Sequence, residues 1–174
     1  MKKETEKKFE VFNSSAQQIK NFCWTMDKPE STMSLGSTLT KKFPDLSILL
    51  LNGPLGAGKT TLVKGIAKSL GIHEPITSPT FPLSQHYPSG SPPLVHLDLY
   101  RIEETCAANE FFLQEEELSK AMGALMVVEW PERLSIEMPD AWRGKLNYSL
   151  DNQSRFFQLI PPFDKNNSLS ISSR

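Results

Sequence analysis

The segment Gly53-Pro54-Leu55-Gly56-Ala57-Gly58-Lys59-Thr60 has the residue types and the spacing that hold phosphate groups. Its glycines let the backbone curl so that successive amide N–H groups point inward at phosphate oxygens, where the positive end of a following helix dipole also lies. Lys59 would bring a point charge to the β- and γ-phosphates, and the Thr60 hydroxyl would coordinate Mg²⁺. The pattern therefore predicts a loop that binds ATP, with Mg²⁺ beside it.

Two carboxylates follow apolar runs that are typical of buried strands. Asp98 ends the run Leu94-Val95-His96-Leu97, and Glu129 ends the run Leu125-Met126-Val127-Val128. A phosphate-binding loop of this kind needs a carboxylate at the tip of a neighbouring strand, either to hold Mg²⁺ or to polarise a water molecule. Asp98 and Glu129 are both candidates, and the sequence leaves open which one contacts the metal. A solvated charge at a strand end is the alternative for either residue.

Three further side chains near these strands have both a functional and a structural interpretation. Thr80, within Ser78-Pro79-Thr80-Phe81, could offer its hydroxyl to the metal or to an attacking water, but the segment is also an ordinary proline turn. Trp130 follows Glu129 directly and could stack on an adenine ring, although a core position is the alternative. His96 is interpreted as a hydrogen-bonded strand histidine rather than a catalyst.

The elements that must position these groups follow from the alternation of strand-like and helix-like patterns. The predicted helices are one capped by Glu30-Ser31-Thr32 and running to Lys42, one at Thr60–Leu70 closed by Gly71, and one at Asn109–Met122. The predicted strands are Leu46–Leu51, a short one at Leu83–Tyr87, Leu94–Leu99 and Leu125–Val128. A hairpin of Gly144–Leu150 and Ser154–Ile160 is predicted around Asp151-Asn152-Gln153. The helix at 109–122 is expected to bury Phe111, Phe112, Leu118 and Met122. Such alternation predicts an α/β fold of the P-loop NTPase-like type, with a mainly parallel central sheet flanked by helices and an antiparallel C-terminal hairpin at the edge.

Composition and charge limit the classes of function. A chain of 174 residues is expected to form one domain, with residues 1–8 and 164–174 as disordered tails. A formal net charge of −1 argues against independent binding of nucleic acid through a broad basic face. Cys23 and Cys106 are expected to be reduced thiols. The charged start is not a secretory signal and no apolar stretch is long enough to cross a bilayer, so a cytoplasmic location with no membrane association is expected.

These motifs together resemble those of the TsaE (YjeE) family, small bacterial P-loop ATPases of tRNA threonylcarbamoyladenosine biosynthesis. The resemblance rests on Thr32-Met33-Ser34-Leu35-Gly36, the loop with Thr61 after it, Ser78-Pro79-Thr80-Phe81, His96-Leu97-Asp98-Leu99-Tyr100-Arg101 and Glu129-Trp130-Pro131. It covers roughly residues 30–160. The loop is common to very many proteins, and the combination of the other motifs is far more specific.

The resemblance implies a role for each matching residue. ATP would be bound by the loop and its surroundings, namely Thr32, Gly53, Leu55, Gly56, Ala57, Gly58, Lys59, Thr60, Thr61 and Trp130. Thr60 and Glu129 would hold Mg²⁺, with Asp98 as the other candidate ligand. Lys59, Thr80, Asp98 and Glu129 would serve hydrolysis, Trp130 would pack on the adenine, and Thr32 would lie near the nucleotide.

The resemblance also implies partners. Members of the family are weak ATPases alone and act on a complex of TsaD- and TsaB-type proteins, which transfers threonylcarbamoyl to adenosine 37 of ANN-decoding tRNAs. Contact with tRNA would be only indirect. The segment 102–118 departs from the family pattern, because it has no glycine where the family carries one and has a few extra residues. That departure affects the expected local helix geometry and not the nucleotide site.

Three other classes of function fit the loop alone. A small-molecule kinase needs arginines that close over the transferring phosphate, and the chain has no arginine from Thr60 to Asp98. A non-catalytic module that uses ATP only as a conformational signal is opposed by the full set of metal-side groups. A GTPase is disfavoured because no N-K-x-D motif for reading guanine occurs.

Overall fold

The computed structural model of the chain describes residues 22–149 and 153–162. The predicted tails at 1–8 and 164–174 lie outside the described residues, as do Asp151 and Asn152 of the predicted turn. Seven strands are described: β1 Phe22–Met26, β2 Ile48–Asn52, β3 Ser84–Tyr87, β4 Leu94–Asp98, β5 Leu125–Glu129, β6 Trp142–Tyr148 and β7 Arg155–Ile160. The helices are α1 Pro29–Lys42, α2 Lys59–Ser69 and α3 Thr105–Met122, followed by a short 3-10 helix at Pro131–Arg133.

The strands form one sheet in the order β1-β7-β6-β2-β5-β4-β3. The four central strands β6, β2, β5 and β4 run parallel, whereas β3 pairs with β4 and β7 pairs with β6 in antiparallel fashion. The predicted α/β fold with a mainly parallel centre is confirmed. The C-terminal hairpin does not end the sheet, because β1 adds one more antiparallel strand outside β7.

Helices cover both faces of the central sheet. Residues of α1 and α2, such as Leu39 and Ile66, pack with Leu49 of β2 in one apolar core. Phe112 of α3 packs with Val95 of β4 in a second core on the opposite face. Every residue of β4 and β5 is therefore buried, which explains their nearly continuous apolar sequence. A sheet enclosed in this way gives a rigid edge on which the strand-end carboxylates are placed.

Several boundaries differ from the sequence-based expectations. β1 was not predicted, and α1 begins at Pro29 with Lys28 as its N-cap, so the predicted cap at residues 30–32 lies inside the first turn. α3 begins at Thr105, four residues earlier than predicted, because the alanine-containing segment 105–108 continues the helix. The prediction that Leu118 anchors α3 is wrong, since its side chain is 48% exposed. No helix within the described ranges is long and apolar enough to pass through a membrane.

Candidate phosphate and metal site

The loop between β2 and α2 has the backbone shape that its glycines predict. Gly56 and Gly58 have φ angles of 75° and 102°, in the left-handed region that side chains rarely adopt, and Gly58 is the N-cap residue of α2. A Cβ atom on Gly53 would lie 2.4 Å from the carbonyl oxygen of Leu146 in β6, so the loop begins in direct contact with that strand. The loop therefore opens onto the N-terminus of α2, whose free amide groups favour an anion.

Lys59 is buried at the centre of this loop with 5% of its surface exposed. Its Nζ donates to the carbonyl oxygens of Gly53 at 2.7 Å and Pro54 at 3.2 Å, and lies 3.8 Å from the centre of the Trp130 ring. Burial lowers the pKa of the Lys59 ammonium, while the carboxylates of Glu129 and Glu132 oppose that change by favouring the charged form. The folded chain thus holds a poorly solvated positive charge beside the loop amides.

Asp98 and Glu129 lie side by side at the carboxyl ends of neighbouring strands. They are register partners in the parallel pair of β4 and β5, and each is 3% exposed. The Thr60 hydroxyl donates to Glu129 Oε1 over 2.8 Å, which joins the first turn of α2 to the tip of β5. The structure therefore brings Lys59, Thr60 and both predicted carboxylates to one edge of the sheet.

Asp98 is held by three donors. Its Oδ2 accepts hydrogen bonds from Ser78 Oγ at 2.5 Å and from Thr80 Oγ1 at 2.9 Å, and its Oδ1 accepts one from the Tyr100 amide at 3.1 Å. The two hydroxyls also lie 2.8 Å apart. Thr80 is thus placed beside the candidate site by contact with Asp98. Ser78 makes an equivalent contact, although no role was predicted for it from the sequence. Ser78 and Thr80 are two residues apart in Ser-Pro-Thr, and this alternation was the signal that could have predicted the contact of Ser78 with Asp98.

His96 contacts the site as well. Its ring is fully buried, and its Nε2 lies 2.9 Å from Glu129 Oε1. As predicted, His96 is a hydrogen-bonded strand histidine through Nε2, but its Nδ1 has no partner among the described residues. His96 and Asp98 are two residues apart on β4, so their side chains lie on the same face of the sheet. This spacing in the sequence could have predicted that His96 lies near the site.

A cleft of about 190 Å³ adjoins the loop on the side of Thr32 and Thr61. It is lined by Met26, Asp27, Lys28, Pro29, Thr32, Gly56, Ala57, Gly58, Thr61, Gln153 and Arg155. Thr32 is buried there, and a Cβ on Gly58 would lie 3.7 Å from its methyl group. Leu55 lies at the outer side of the loop, where its carbonyl accepts a hydrogen bond of 2.8 Å from the Tyr148 hydroxyl.

Trp130 lies against Lys59 and Tyr100. Its backbone φ is 61°, and its ring centre is 4.8 Å from that of Tyr100. Trp130 is not among the described residues that line the cleft. Its predicted stacking on adenine stays a prediction, and the contact that the structure provides is with the lysine ammonium.

The donor set at Thr60 and Glu129 suits Mg²⁺. Mg²⁺ prefers oxygen ligands and is usually held by one or two carboxylates together with substrate phosphates rather than by an all-protein cage. A hydroxyl and a buried carboxylate oxygen 2.8 Å apart, next to a loop for phosphates, match that preference. No cluster of three or more His, Cys, Asp and Glu side chains suited to a metal occurs in the described part of the chain. The residues therefore fit a cation that arrives with its nucleotide.

The parallel sheet, the glycine loop at the start of α2 and the paired strand-end carboxylates define a P-loop NTPase-like α/β protein. Comparison with known proteins narrows this class. A family model described as "Threonylcarbamoyl adenosine biosynthesis protein TsaE" matches residues 26–156. The chain therefore belongs to the TsaE family.

Individual relatives agree with that assignment. A protein of Nostoc sp. strain PCC 7120 named tRNA threonylcarbamoyladenosine biosynthesis protein TsaE is 42% identical over 135 residues, covering 76% of this chain and 81% of the relative. The protein of that name from Bacillus subtilis is 33% identical over 124 residues, covering 70% and 73%. Among solved structures, the crystal structure of Bacillus subtilis YdiB superposes with a TM-score of 0.66 at 27% identity, covering 88% of this chain and 93% of that one.

Proposed function

We propose that this chain is the ATP-binding and ATP-hydrolysing component of tRNA threonylcarbamoyladenosine biosynthesis. Its family name supports the pathway. The observation that best supports the activity is the contact of the Thr60 hydroxyl with Glu129, beside the buried ammonium of Lys59. Hydrolysis would drive a TsaD/TsaB-type complex through repeated threonylcarbamoyl transfers to adenosine 37 of ANN-decoding tRNAs, in the cytoplasm and without direct contact between this chain and tRNA.

The phosphates would lie in the loop between β2 and α2. Loop amides and the N-terminus of α2 would hold the β-phosphate, and the Lys59 ammonium would leave the carbonyl oxygens of Gly53 and Pro54 to bind the β- and γ-phosphates. Mg²⁺, held by Thr60 and Glu129 together with the phosphates, would neutralise charge that develops on the transferred phosphoryl group. A poorly solvated Lys59 gains more from such a ligand than an exposed lysine would, because less water is displaced.

Asp98 would orient the attacking water and accept its proton. Both of its oxygens are held by donors, and the hydroxyls of Ser78 and Thr80 share one of them. We propose that Thr80 exchanges its hydrogen bond to Asp98 for one to this water when nucleotide binds. Glu129, rather than Asp98, would be the direct metal ligand, since Glu129 is the carboxylate that contacts Thr60.

The adenine and its sugar would lie in the cleft next to Thr32 and Thr61. That cleft is lined by residues from Gly56–Gly58 to Met26, and neither Lys59 nor Trp130 is among its described lining residues. Because Lys59 serves the β- and γ-phosphates, a ring stacked on its ammonium stands at the phosphate end of the nucleotide. In this arrangement the Trp130 ring would cover the phosphate-binding lysine, and the expected contact of Trp130 with adenine stays a prediction.

A reconstituted transfer assay tests the proposed function. TsaD- and TsaB-type partner proteins, tRNA, ATP and a threonylcarbamoyl donor are combined with and without this chain, and modified adenosine per partner complex is counted over time. Without the chain, about one round of transfer per complex is expected, and with it many rounds. The proposal is contradicted if the partners complete many rounds unaided, or if the chain phosphorylates a small acceptor appreciably without any partner.

Asp98→Asn should separate hydrolysis from binding. The amide keeps the shape of the carboxylate but is a poor base, so the single-turnover rate of ATP hydrolysis should fall about 100-fold. Its effect on the Kd for ATP should stay within about threefold, because the proposed water site lies beyond the γ-phosphate. Rapid-quench measurement of ADP formation and calorimetric titration with ATP give the two quantities.

Asp45→Asn is the matched control, since Asp45 is an exposed aspartate just before β2, at the opposite edge of the sheet. It should leave both quantities unchanged. An Asp98→Asn protein that hydrolyses ATP as fast as the wild type would refute the role of Asp98. Equal losses in rate and affinity would instead mean that Asp98 shapes the binding site.

A further inference from the structure

Of the buried Asp, Glu, Lys and His side chains among the residues described, His96 is the one that the proposed chemistry does not yet use. Buried polar and charged residues in the described part of the chain are Thr32, Lys59, His96, Asp98, Ser119 and Glu129. Four of these, apart from His96 and Ser119, already have a place at the nucleotide site. His96 interrupts the apolar run that precedes Asp98 in a strand enclosed on both faces, where an aliphatic residue would be easier to accommodate.

The ring of His96 shares its acceptor with Thr60. Glu129 Oε1 receives the Thr60 hydroxyl at 2.8 Å and faces His96 Nε2 at 2.9 Å. The two donors come from different elements, α2 and β4, while the carboxylate belongs to β5. One oxygen held from two sides cannot turn away without losing both hydrogen bonds, so the Glu129 side chain is restricted to a single orientation.

The unpartnered nitrogen identifies the tautomer. Nδ1 is buried and has no hydrogen-bond partner among the described residues. A hydrogen on Nδ1 would be an unsatisfied buried donor, and the carboxylate oxygen at Nε2 requires a donor there. The contact therefore places a ring hydrogen on Nε2, directed at Glu129 Oε1.

We propose that His96 is a positioning residue for Mg²⁺: through Nε2–H it holds the Glu129 carboxylate beside the Thr60 hydroxyl before nucleotide arrives. The proposal rests on the proposed function, in which Glu129 and Thr60 are the protein ligands of the metal. Without His96 the carboxylate can rotate, and binding the metal then requires ordering it first. Loss of His96 should therefore reduce the increase in ATP affinity that Mg²⁺ causes. It should not change the affinity of the loop for metal-free ATP.

The test compares ATP binding in EDTA with ATP binding in excess Mg²⁺, by calorimetry, for a set of variants. His96→Leu removes the donor and leaves an apolar side chain in an apolar strand. His96→Gln keeps an N–H donor near the position of Nε2. Val95→Ala, which weakens the packing of the same strand on its opposite face, controls for a general loss of stability.

The expected result is selective. In His96→Leu, the factor by which Mg²⁺ increases ATP affinity should be about tenfold smaller than in wild type. Its Kd for ATP in EDTA should stay within about twofold of wild type. His96→Gln should restore most of that gain, and Val95→Ala should show the full wild-type gain. If His96→Leu does not fold, His96→Asn takes its place, because its amide is too short to reach Glu129 and it differs from the Gln variant by one methylene.

Other outcomes overturn the proposal. If a folded variant without the donor keeps the full increase in ATP affinity with Mg²⁺, the positioning role of His96 is contradicted. An equal loss of affinity in EDTA and in Mg²⁺ contradicts it as well. Neither outcome contradicts the proposed function. A wild-type chain that gains nothing from Mg²⁺ contradicts the proposed function and this proposal with it. Nitrogen-15 spectra of the free protein give a check that needs no nucleotide: the His96 ring should carry its hydrogen on Nε2, and the opposite tautomer would refute the contact.

Discussion

Lys59→Ala should raise the Kd for ATP about 100-fold or more and remove ATP-driven turnover. The lysine ammonium is the proposed partner of the β- and γ-phosphates, and a hundredfold loss corresponds to about 2.7 kcal/mol of binding free energy. That magnitude is expected for a charge-assisted contact in a site where Lys59 is only 5% exposed. Calorimetric titration with ATP measures the affinity, and the reconstituted transfer assay should return to about one round per complex.

The stability of the free protein gives this prediction a second readout. Burial lowers the pKa of Lys59, which means that its charged form is disfavoured in the folded chain without ligand. The alanine variant loses this disfavoured charge together with the two hydrogen bonds of Nζ, so without nucleotide its unfolding temperature should stay close to that of wild type. Saturating ATP should raise the unfolding temperature of the wild type and leave that of the variant in place, because a ligand stabilises only the state that binds it.

Lys64→Ala is the matched control for the lysine. Lys64 lies on the same helix, one turn further along, and its side chain is exposed. It should bind ATP and support transfer as the wild type does. If Lys59→Ala keeps near-wild-type affinity for ATP, the phosphate-binding role of Lys59 is wrong. If Lys59→Ala is much less stable than wild type without nucleotide, the desolvation argument for Lys59 is wrong.

The loop was the easiest part of the site to predict, because its chemistry is local. Positive φ angles at Gly56 and Gly58 follow from the absence of a side chain, and the following helix begins where the pattern turns amphipathic. The placement of Asp98 and Glu129 required one more rule. Parallel strands end at the same edge of a sheet, so two acids that each end an apolar run become neighbours once both strands are central.

Contacts that depend on strand register could not be read from the sequence. His96 reaches Glu129 only because β4 and β5 pair with Asp98 opposite Glu129, which sets the histidine diagonally across from the carboxylate. A one-residue shift of that pairing would turn the ring to the other face. Trp130 was equally hidden, because its φ of 61° directs the chain away from the strand path that a sequence reading assumes.

β1 was missed for a related reason. Its five residues, Phe22–Met26, range from the exposed Thr25 to the buried Met26, and they show none of the alternation that identifies a strand in a sequence. Their strand character depends on pairing with β7, more than 120 residues further along the chain, which local propensity does not report. α3 shows the opposite error: its buried face was read too broadly, and Leu118 proved to be exposed although Phe112 is fully buried.

Helices α1 and α2 support the nucleotide site, and their packing against each other was also not predicted from the sequence. The two helices touch through glycines: a Cβ on Gly65 would lie 1.9 Å from the carbonyl oxygen of Met33, and one on Gly36 would lie 2.3 Å from that of Leu62. Ser37 Oγ donates to the Gly65 carbonyl at 2.8 Å across the same contact. Backbone thus meets backbone, with no flexible side chain between the helices that could yield.

Gly65→Ala should therefore destabilise the protein by about 3 kcal/mol, near the upper end of the usual effect of overpacking, even though alanine favours helix. The added methyl group must separate α1 from α2, because the atom that it meets is main chain. Equilibrium unfolding in urea gives the free energy. Gly123→Ala is the control: a Cβ there meets nothing within 4 Å, so only the strain of its φ of 60° remains, and a loss of about 1 kcal/mol is expected.

The same substitution tests how the helices serve the nucleotide site. Thr32 lies on α1 one turn before Gly36 and lines the cleft together with Gly58 of the loop, so a helix displaced by Gly65→Ala must move the wall of the proposed base cleft. At temperatures where the variant is still folded, its Kd for ATP should rise about fivefold, with the change equal in EDTA and in Mg²⁺. A folded variant with unchanged affinity would contradict the placement of the base beside Thr32. A loss confined to Mg²⁺ would mean that α1 acts on the metal side of the loop instead.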